Sequence, residues 1–426
     1  MNKKIKKTDT IFLKNVLFLS GGTVVSQAII FLLSPFITRI YSPEEYGILT
    51  IFISILSLFA GSESLRYELA IPVAENDEDA INLLALCIMI LSSISLIILL
   101  IMLICGNSIF KILPTPSIYK YRILIPIEVF LYGVYQILMR WNLRQRNYSV
   151  ISITKVMQSI SSNAIKIIFG ILNFGALGLI LGKIMGESAG ILKLGKTLTK
   201  NKLNLFRVLS IRKIKYLSRR YIKFPLFSLP SNLLSRFANQ IPTLFFAIYF
   251  GSEVVGIYGF TLGVINLPVS VIGISIGDVF YSEAATIGKK NAGEIIKLSN
   301  ELFKKLILFG LLPLICLVFF APYLFEFVFG GSWAKAGEYA QVLSFLGFSQ
   351  LIFQPVSRIY DIFDKQNELL FFTILRIILV VISFFISQQL SFEPKQSLIL
   401  YVIVMFLIHG IIYVNGQRIL KNSLPS

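Results

Sequence analysis

Apolar stretches of membrane-spanning length recur from one end of this chain to the other. A helix needs about 20 apolar residues to cross roughly 30 Å of hydrocarbon. Twelve stretches meet that length, near 15–38, 45–65, 82–105, 121–140, 149–172, 175–194, 224–250, 257–280, 304–329, 341–360, 369–390 and 397–416. The mean hydropathy of +0.77, with 15% charged residues, lies far outside the soluble range. The fold class is therefore an all-α polytopic membrane protein with twelve spans. The basic N-terminus "MNKKIKKTDT" precedes an apolar run without an A-x-A-like cleavage site, so it reads as a retained first helix. Cys87, Cys105 and Cys316 lie within or at the end of apolar runs, as small apolar side chains do, and imply neither a disulfide framework nor a metal site.

Orientation follows from the lysines and arginines of the loops. With the N-terminus in the cytoplasm, 29 of the 40 basic residues fall inside, 11 of them between Lys193 and Lys223. Only Arg39, Lys111, Lys120, Arg122, Lys335 and Lys395 fall outside. Both termini are then cytoplasmic. The acidic run "AENDEDA", residues 74–80, lies on the same inner side, but carboxylates weigh little in this rule. The net charge of +18 reads as a topological signal facing anionic inner-leaflet lipid, not as a nucleic-acid surface.

The basic stretch divides the chain into an N-terminal six-helix lobe, 1–195, a cytoplasmic linker, 196–223, and a C-terminal six-helix lobe, 224–426. "IYSPEEYGIL" from Ile40 and "YFGSEVVGIY" from Tyr249 align at an offset of 209, matching Glu44 with Glu253, Gly47 with Gly256 and Ile48 with Ile257. An even number of spans per half makes the halves parallel repeats about an axis along the membrane normal, with a central site between them.

Two motifs carry a resemblance to a known family. These are "NVLFLSGGTVVSQAIIFLLSPFITRIYSPEEYGIL" in span 1 and "SLRYELAIPVAENDEDAINL" after span 2. With the six-plus-six plan, they resemble the Wzx-type polysaccharide flippases of the MOP superfamily, which also contains the MATE exporters. The resemblance implies a V-shaped pair of lobes with a central cavity and alternating access. It also implies an undecaprenyl-diphosphate-linked oligosaccharide as cargo, moved from the inner to the outer leaflet of a bacterial plasma membrane for O-antigen, capsule or lipopolysaccharide assembly. Polysaccharide polymerase and chain-length proteins would be its partners.

Polar residues inside the spans mark the candidate site. An ionisable group at the bilayer centre costs about 2.5–3.5 kcal/mol, so it must snorkel, pair or face water. In span 5, Lys155 and Lys166 stand about 20° apart on a helical wheel, with Ser159 and Ser162 on the same stripe and Asn163 at its edge. In span 7, Ser228, Asn232, Arg236, Asn239, Gln240 and Thr243 share an arc of about 120°. Pro225, Pro230 and Pro242 interrupt that helix. Span 1 carries Gln27, aligned with Arg236 under the same offset, and span 10 carries Gln350, Gln354, Ser357 and Asp361 on one face. These faces describe a hydrated cavity, with Lys155, Lys166, Lys183, Arg236, Gln27, Asn232 and Gln240 as substrate-binding candidates. Lys155 and Arg376 sit close enough to the inner ends of their spans to snorkel instead. Helix-to-helix hydrogen bonding without substrate is the competing reading for the stripe.

Span 6 repeats Gly178, Gly182, Gly186 and Gly190, a ridge for close helix packing. Lys183 and Glu187 are spaced as a self-neutralising pair beside it. Glu128 has no local partner and either neutralises a lysine or takes a proton in ion coupling. His409 reads as a packed neutral imidazole.

An anionic cargo would be drawn to such a cationic lining. A MATE-like exporter of cationic compounds would need an acidic one. A membrane polymerase or ligase would need a sizeable outer loop with catalytic acids, and the longest, "GNSIFKILPTPSIYKY", has none. The string "GILKLGKT", residues 190–197, matches the letters of G-x-x-x-x-G-K-[ST], but it runs on from an apolar span and not from a β-strand, so it does not read as a phosphate-binding loop. The chain therefore reads as a non-enzyme without cofactor, driven by an H+ or Na+ gradient, the membrane potential or consumption of product.

Overall fold

The computed structural model describes residues 2–106, 116–200 and 208–424. Residues 107–115, most of the loop after the third apolar stretch, and the middle of the basic linker (201–207) lie outside the described residues. The described chain is helical, without a strand. This is what hydrocarbon imposes, because a helix satisfies its own backbone donors and acceptors. Each of the twelve apolar stretches lies on helix. In order these are α1 (Asn2–Ile40), α2 (Pro43–Phe59), α3 (Asp77–Ile104), α4 (Leu124–Arg144), α5 (Tyr148–Ile171) and α6 (Ala176–Ser188) with α7 (Ile191–Lys200). The linker helix α8 (Ile211–Arg220) follows. Then come α9 (Leu229–Ile287), α10 (Ala292–Phe329), α11 (Ala334–Phe353), α12 (Gln366–Gln389) and α13 (Pro394–Asn422). Spans 7 and 8 both fall within α9, divided at Gly251, whose φ of 80° breaks the helical path. Six helices among the described residues are long and apolar enough to cross a membrane by length and composition.

The chain forms two compact units. The first runs through Gln240 and takes in Ala247–Ser252; the second comprises Ile241–Phe246 and the chain from Glu253 onward.

Helix ends explain two sequence motifs. In the "YSPEEYG" turn, the Glu45 backbone N–H donates to Ser42 Oγ at 3.3 Å, and the Ser42 N–H donates to Glu45 Oε2 at 2.8 Å. With Pro43 in the first turn, this is a complete capping box that starts α2. The acidic run has the same use: Asn76 Oδ1 accepts from the Asp79 N–H at 2.7 Å, and Asp77, Glu78 and Asp79 complement the positive end of α3.

That run also holds the linker. Lys213 of α8 lies 2.9 Å from Glu78 and 3.3 Å from Asp79, and Arg220 pairs with Glu75. Asn82, fully buried, donates to the Val208 carbonyl at 3.0 Å and accepts from the Ser210 N–H at 3.0 Å. Tyr67 donates to the Ser218 carbonyl at 2.9 Å. Leu217 completes an apolar core with Tyr67, Ile71, Leu83, Cys87 and Trp141. The described part of the linker is thus a docked helix, and the acidic residues are its counter-ions. Arg220 holds the Glu75 carboxyl below the usual carboxylate range. Because that group is depressed in the folded state, its contribution is present above the ordinary carboxylate range and fades as pH falls through the lowered value.

The glycine ridge packs as its spacing predicts. A Cβ on Gly182 would stand 2.4 Å from Lys166 Cγ, and one on Gly186 would stand 2.4 Å from Ser162 Cβ. α6 therefore lies backbone-close against α5, which in turn packs along α1. In the second unit, Phe280, Ile295, Val356, Tyr360 and Leu420 form one core. A second aromatic group joins Phe260, Phe325, Phe329 and Trp333. Phe327, Leu308 and Leu312 on α10 stay exposed, as a lipid-facing surface requires.

The linker clamp is testable. Asn82→Ala leaves the part-buried Val208 carbonyl and Ser210 N–H without their partner, at a cost of about 1–2 kcal/mol. Trypsin cleavage between Arg212 and Arg220 in the solubilised protein should rise about tenfold, the response to about 1.4 kcal/mol. Unchanged cleavage would show that Asn82 does not hold the linker.

Candidate functional site

The first unit holds most of the sequence candidates. Lys155 donates from Nζ to Thr23 Oγ1 of α1 at 2.8 Å, and its carbonyl accepts from Ser26 at 3.2 Å. Along the same stripe, Ser159 and Asn163 are buried and bonded to their own helix backbone. Ser162 sits against Gly186. The middle of the stripe is therefore packing surface. Lys166 is half-buried over Gly182 and, among the described residues, its ammonium has no hydrogen-bond or ion-pair partner.

Lys183 is the centre of a charge cluster. It pairs with Glu187 one turn on, and stands 4.0 Å from Glu128 Oε1 of α4. Glu128 is 1% exposed, and neither of its carboxylate oxygens accepts a hydrogen bond among the described residues. The Glu187 carbonyl accepts from Gln158 Nε2 of α5 at 2.5 Å. Lys166 lies within electrostatic range of both Lys183 and Glu187. Two ammonium groups and two carboxylates thus share one neighbourhood where α4, α5 and α6 meet. The pair read from the sequence forms, and the partner of Glu128 is Lys183.

A second cluster was not singled out from the sequence. Between α2 and the 3₁₀ turn Tyr67–Val73, Leu65 and Arg66 take positive φ values of 52° and 68°, costly for non-glycine residues. The turn buries Glu63 and Glu68 at 5% and 6% exposure. Glu63 accepts from the Gly61 N–H at 2.6 Å, Glu68 accepts from Ser64 at 2.6 Å, and Arg66 lies 3.6 Å from Glu68. These carboxylates share a cavity of about 90 Å³ with Arg66, Gln136, Arg140 and Arg236. Arg236 donates to Asn232 at 3.0 Å, and the buried Nε of Arg140 has no acceptor among the described residues. Arg66 also lines a wider cleft of about 750 Å³ with Arg220, Lys223, Ser228, Ser231 and Asn232. The L-R-Y-E-L stretch therefore places Arg66 between the inner cavity and this cleft. Gln27 and Gln240 are partly exposed, in α1 and α9, and neither joins these two cavities.

The second unit encloses a cavity of about 570 Å³. Gln350, Gln354, Ser357 and Asp361, the polar face read from span 10, line it together. So do Asn266 of α9, Arg376 of α12 and His409 of α13. His409 is 6% exposed, with Nδ1 2.9 Å from Ser349 Oγ.

With this geometry in place, comparison with known proteins is informative. A family model described as "Polysaccharide biosynthesis protein" matches residues 6–338. The chain belongs to the polysaccharide biosynthesis protein family. No curated protein matches its sequence. Among solved structures, an inward-facing multidrug resistance MATE transporter of the MOP superfamily superposes with a TM-score of 0.73 at 15% identity, covering 96% of this chain and 95% of the other. The lipid II flippase MurJ, in an inward closed conformation, gives 0.69 at 14% identity, covering 97% and 90%. A MOP-superfamily transporter from Pyrococcus furiosus, described by a reverse polarity of its binding pocket, gives 0.67 at 16% identity and covers 97% of each chain. At these identities the likeness is one of fold. It bears out the resemblance read from the two motifs and makes this member of the polysaccharide biosynthesis family a multi-pass membrane protein with the MATE/MOP fold.

Within this family member, five cations of the first unit (Lys166, Lys183, Arg66, Arg140 and Arg236) stand near four carboxylates (Glu63, Glu68, Glu128 and Glu187), while Lys155 is answered by the Thr23 hydroxyl. Positive charge is in excess but largely partnered. Lys183 is the most interdependent member. Lys183→Met leaves the buried Glu128 and the partly exposed Glu187 without their cation and should destabilise the solubilised protein by about 3 kcal/mol. Adding Glu187→Gln and Glu128→Gln should restore most of the loss. A thermal melt of the single mutant equal to wild type would remove Lys183 from this role.

Proposed function

We propose that this protein is a flippase that carries an undecaprenyl-diphosphate-linked oligosaccharide from the inner to the outer leaflet of a bacterial plasma membrane by alternating access. The observation that carries the proposal is the excess of lysine and arginine over carboxylate among polar residues inside the first unit, in a polysaccharide-family chain. A diphosphate is attracted by such a lining and a cationic compound is repelled. The membrane frame is twelve spans in two lobes, with both termini cytoplasmic. Cargo binding is assigned to Lys155, Lys166, Lys183, Arg236, Gln27, Asn232 and Gln240. Glu128 and Glu187 hold the lysine charges or exchange protons with the driving ion, H+ or Na+. Membrane lipids, a polymerase and chain-length proteins are its neighbours in O-antigen, capsule or related surface-polysaccharide assembly.

A MATE-like exporter is the second reading, favoured by the fold likeness to multidrug transporters. The charge opposes it, because the buried carboxylates of the first unit already face lysine or arginine.

Two experiments test the proposal. Cysteines placed in 330–338 should be labelled from outside intact cells and those in 211–220 should not; strong labelling of 211–220 overturns the orientation. Complementation of a flippase-deficient strain tests the cargo site. Lys166→Gln should lower surface polysaccharide, and Lys166→Glu should lower it about tenfold further, the effect of about 1.4 kcal/mol of lost binding. Arg236→Ala should abolish it with the protein still in the membrane, while Arg236→Lys keeps part. Wild-type transport by Lys166→Glu and Arg236→Ala would end the cationic-site mechanism.

A further inference from the structure

The cavity of the second unit is unassigned by the family or by the charge argument above. Arg376 is the eleventh residue of the 24-residue α12, about 15 Å along it. Among the described residues its guanidinium makes no hydrogen bond or ion pair, although it faces the cavity. The side-chain amides of Asn266, Gln350 and Gln354 are likewise unpartnered and line the same space. Arg376, Asn266 and Gln350 are partly buried and Gln354 is exposed, so all four present open donors or acceptors to the same cavity, and an arginine at this depth of a span needs water or an anion to answer it.

The charges are unevenly answered. Arg358, at the end of the 3₁₀ turn Pro355–Arg358 that follows α11, is bracketed by Asp278 at 3.3 Å and Asp361 at 3.7 Å. Arg376 has no such carboxylate. The imidazole adds a defined acceptor. Ser349 Oγ donates its one hydrogen to the Leu346 carbonyl at 2.8 Å, so it accepts from His409 Nδ1–H. A neutral His409 then carries its lone pair on Nε2. Phe353 and Phe372 supply apolar wall between the polar groups. The volume, about 570 Å³, is that of an ordinary small-ligand site.

We infer that this cavity is a saccharide subsite specific for a sugar ring that carries a carboxylate. The carboxylate would take the two parallel N–H donors of Arg376, a geometry that guanidinium offers and ammonium does not. Vicinal hydroxyls both donate and accept, as the carboxamides of Asn266, Gln350 and Gln354 do, and His409 Nε2 accepts one more hydrogen bond. A cationic ligand would leave Arg376 unanswered. The choice of a sugar rests on the oligosaccharide reading above; the pocket and its unpaired guanidinium do not.

The test is binding, independent of transport. Glucuronic acid, glucose and inorganic phosphate are the probes, followed by saturation-transfer NMR on the purified full chain in lipid nanodiscs. Glucuronic acid should bind saturably and glucose more weakly, and equal phosphate should not displace glucuronic acid. Arg376→Gln should weaken glucuronic acid about tenfold or more and bring it level with glucose, while Arg376→Lys recovers part. Gln354→Ala, which leaves every charge in place, should weaken both sugars, and decides the matter if Arg376→Gln does not fold. Glucuronic acid bound equally by wild type and either Arg376→Gln or Gln354→Ala overturns the subsite. Equal binding of glucose and glucuronic acid to wild type removes the acid specificity, and displacement by phosphate reduces the cavity to a general anion site. Failure here with successful complementation above would remove only this pocket, whereas glucuronic acid binding with failed complementation would remove only the flippase.

Discussion

An ionised side chain in hydrocarbon must be answered locally or it stays in water, and the first unit is arranged around that constraint. Its answers depend on how closely α5 and α6 approach. The glycines of α6 remove the side chains that would hold the helices apart, so Lys166 lies over Gly182 and Gln158 reaches the Glu187 carbonyl. Lys183, one position beyond Gly182, then stands between Glu187 on its own helix and Glu128 on α4. A larger residue at Gly182 would collide with Lys166 and lengthen the contacts between α5 and α6. The ridge and the charge cluster are one feature.

The face that carries the linker follows the same rule with water present. There the acidic run and the basic linker carry opposite charge in excess, and each is the other's partner. Exposed ion pairs are individually weak, about 0–1 kcal/mol. The fixed register of α8 comes instead from Asn82, which is buried and bonds the linker backbone in both directions, and from Leu217 in the apolar core. The salt bridges select orientation; the amide and the leucine hold it.

What could be read in the sequence was what depends on local spacing. All twelve apolar stretches are helical, the glycine ridge packs as a ridge, and Lys183 meets Glu187 four residues on. Asn232 and Arg236, also four apart, bond to each other. The polar face of Gln350, Gln354, Ser357 and Asp361 gathers on one cavity. What depends on a turn was hidden. Glu63, Arg66 and Glu68 look like residues leaving a span, and nothing in their spacing announces two consecutive left-handed residues folding them inward to Arg140 and Arg236. The acidic run had a signal, since a cluster of four carboxylates beside eleven basic residues is a counter-ion pattern. It reads as an exception only if charges are used for orientation alone.

The turn at Leu65 and Arg66 then gains a physical meaning. Two non-glycine residues at positive φ cost about 1–3 kcal/mol each. Against this stand the hydrogen bonds and ion pair that Arg66, Glu63 and Glu68 make, worth about 1.5–3 kcal/mol for each bond to a charged group. The two sides are of similar size. Arg66 also reaches Ser228 at 3.4 Å, within the π-helical turn Phe224–Ser228 that leads into α9. π-turns carry a register that a small rotation can change, and they concentrate at functional positions. A nearly balanced turn is thus tied to an adaptable helix start by one arginine, which lines both the inner cavity and the open cleft.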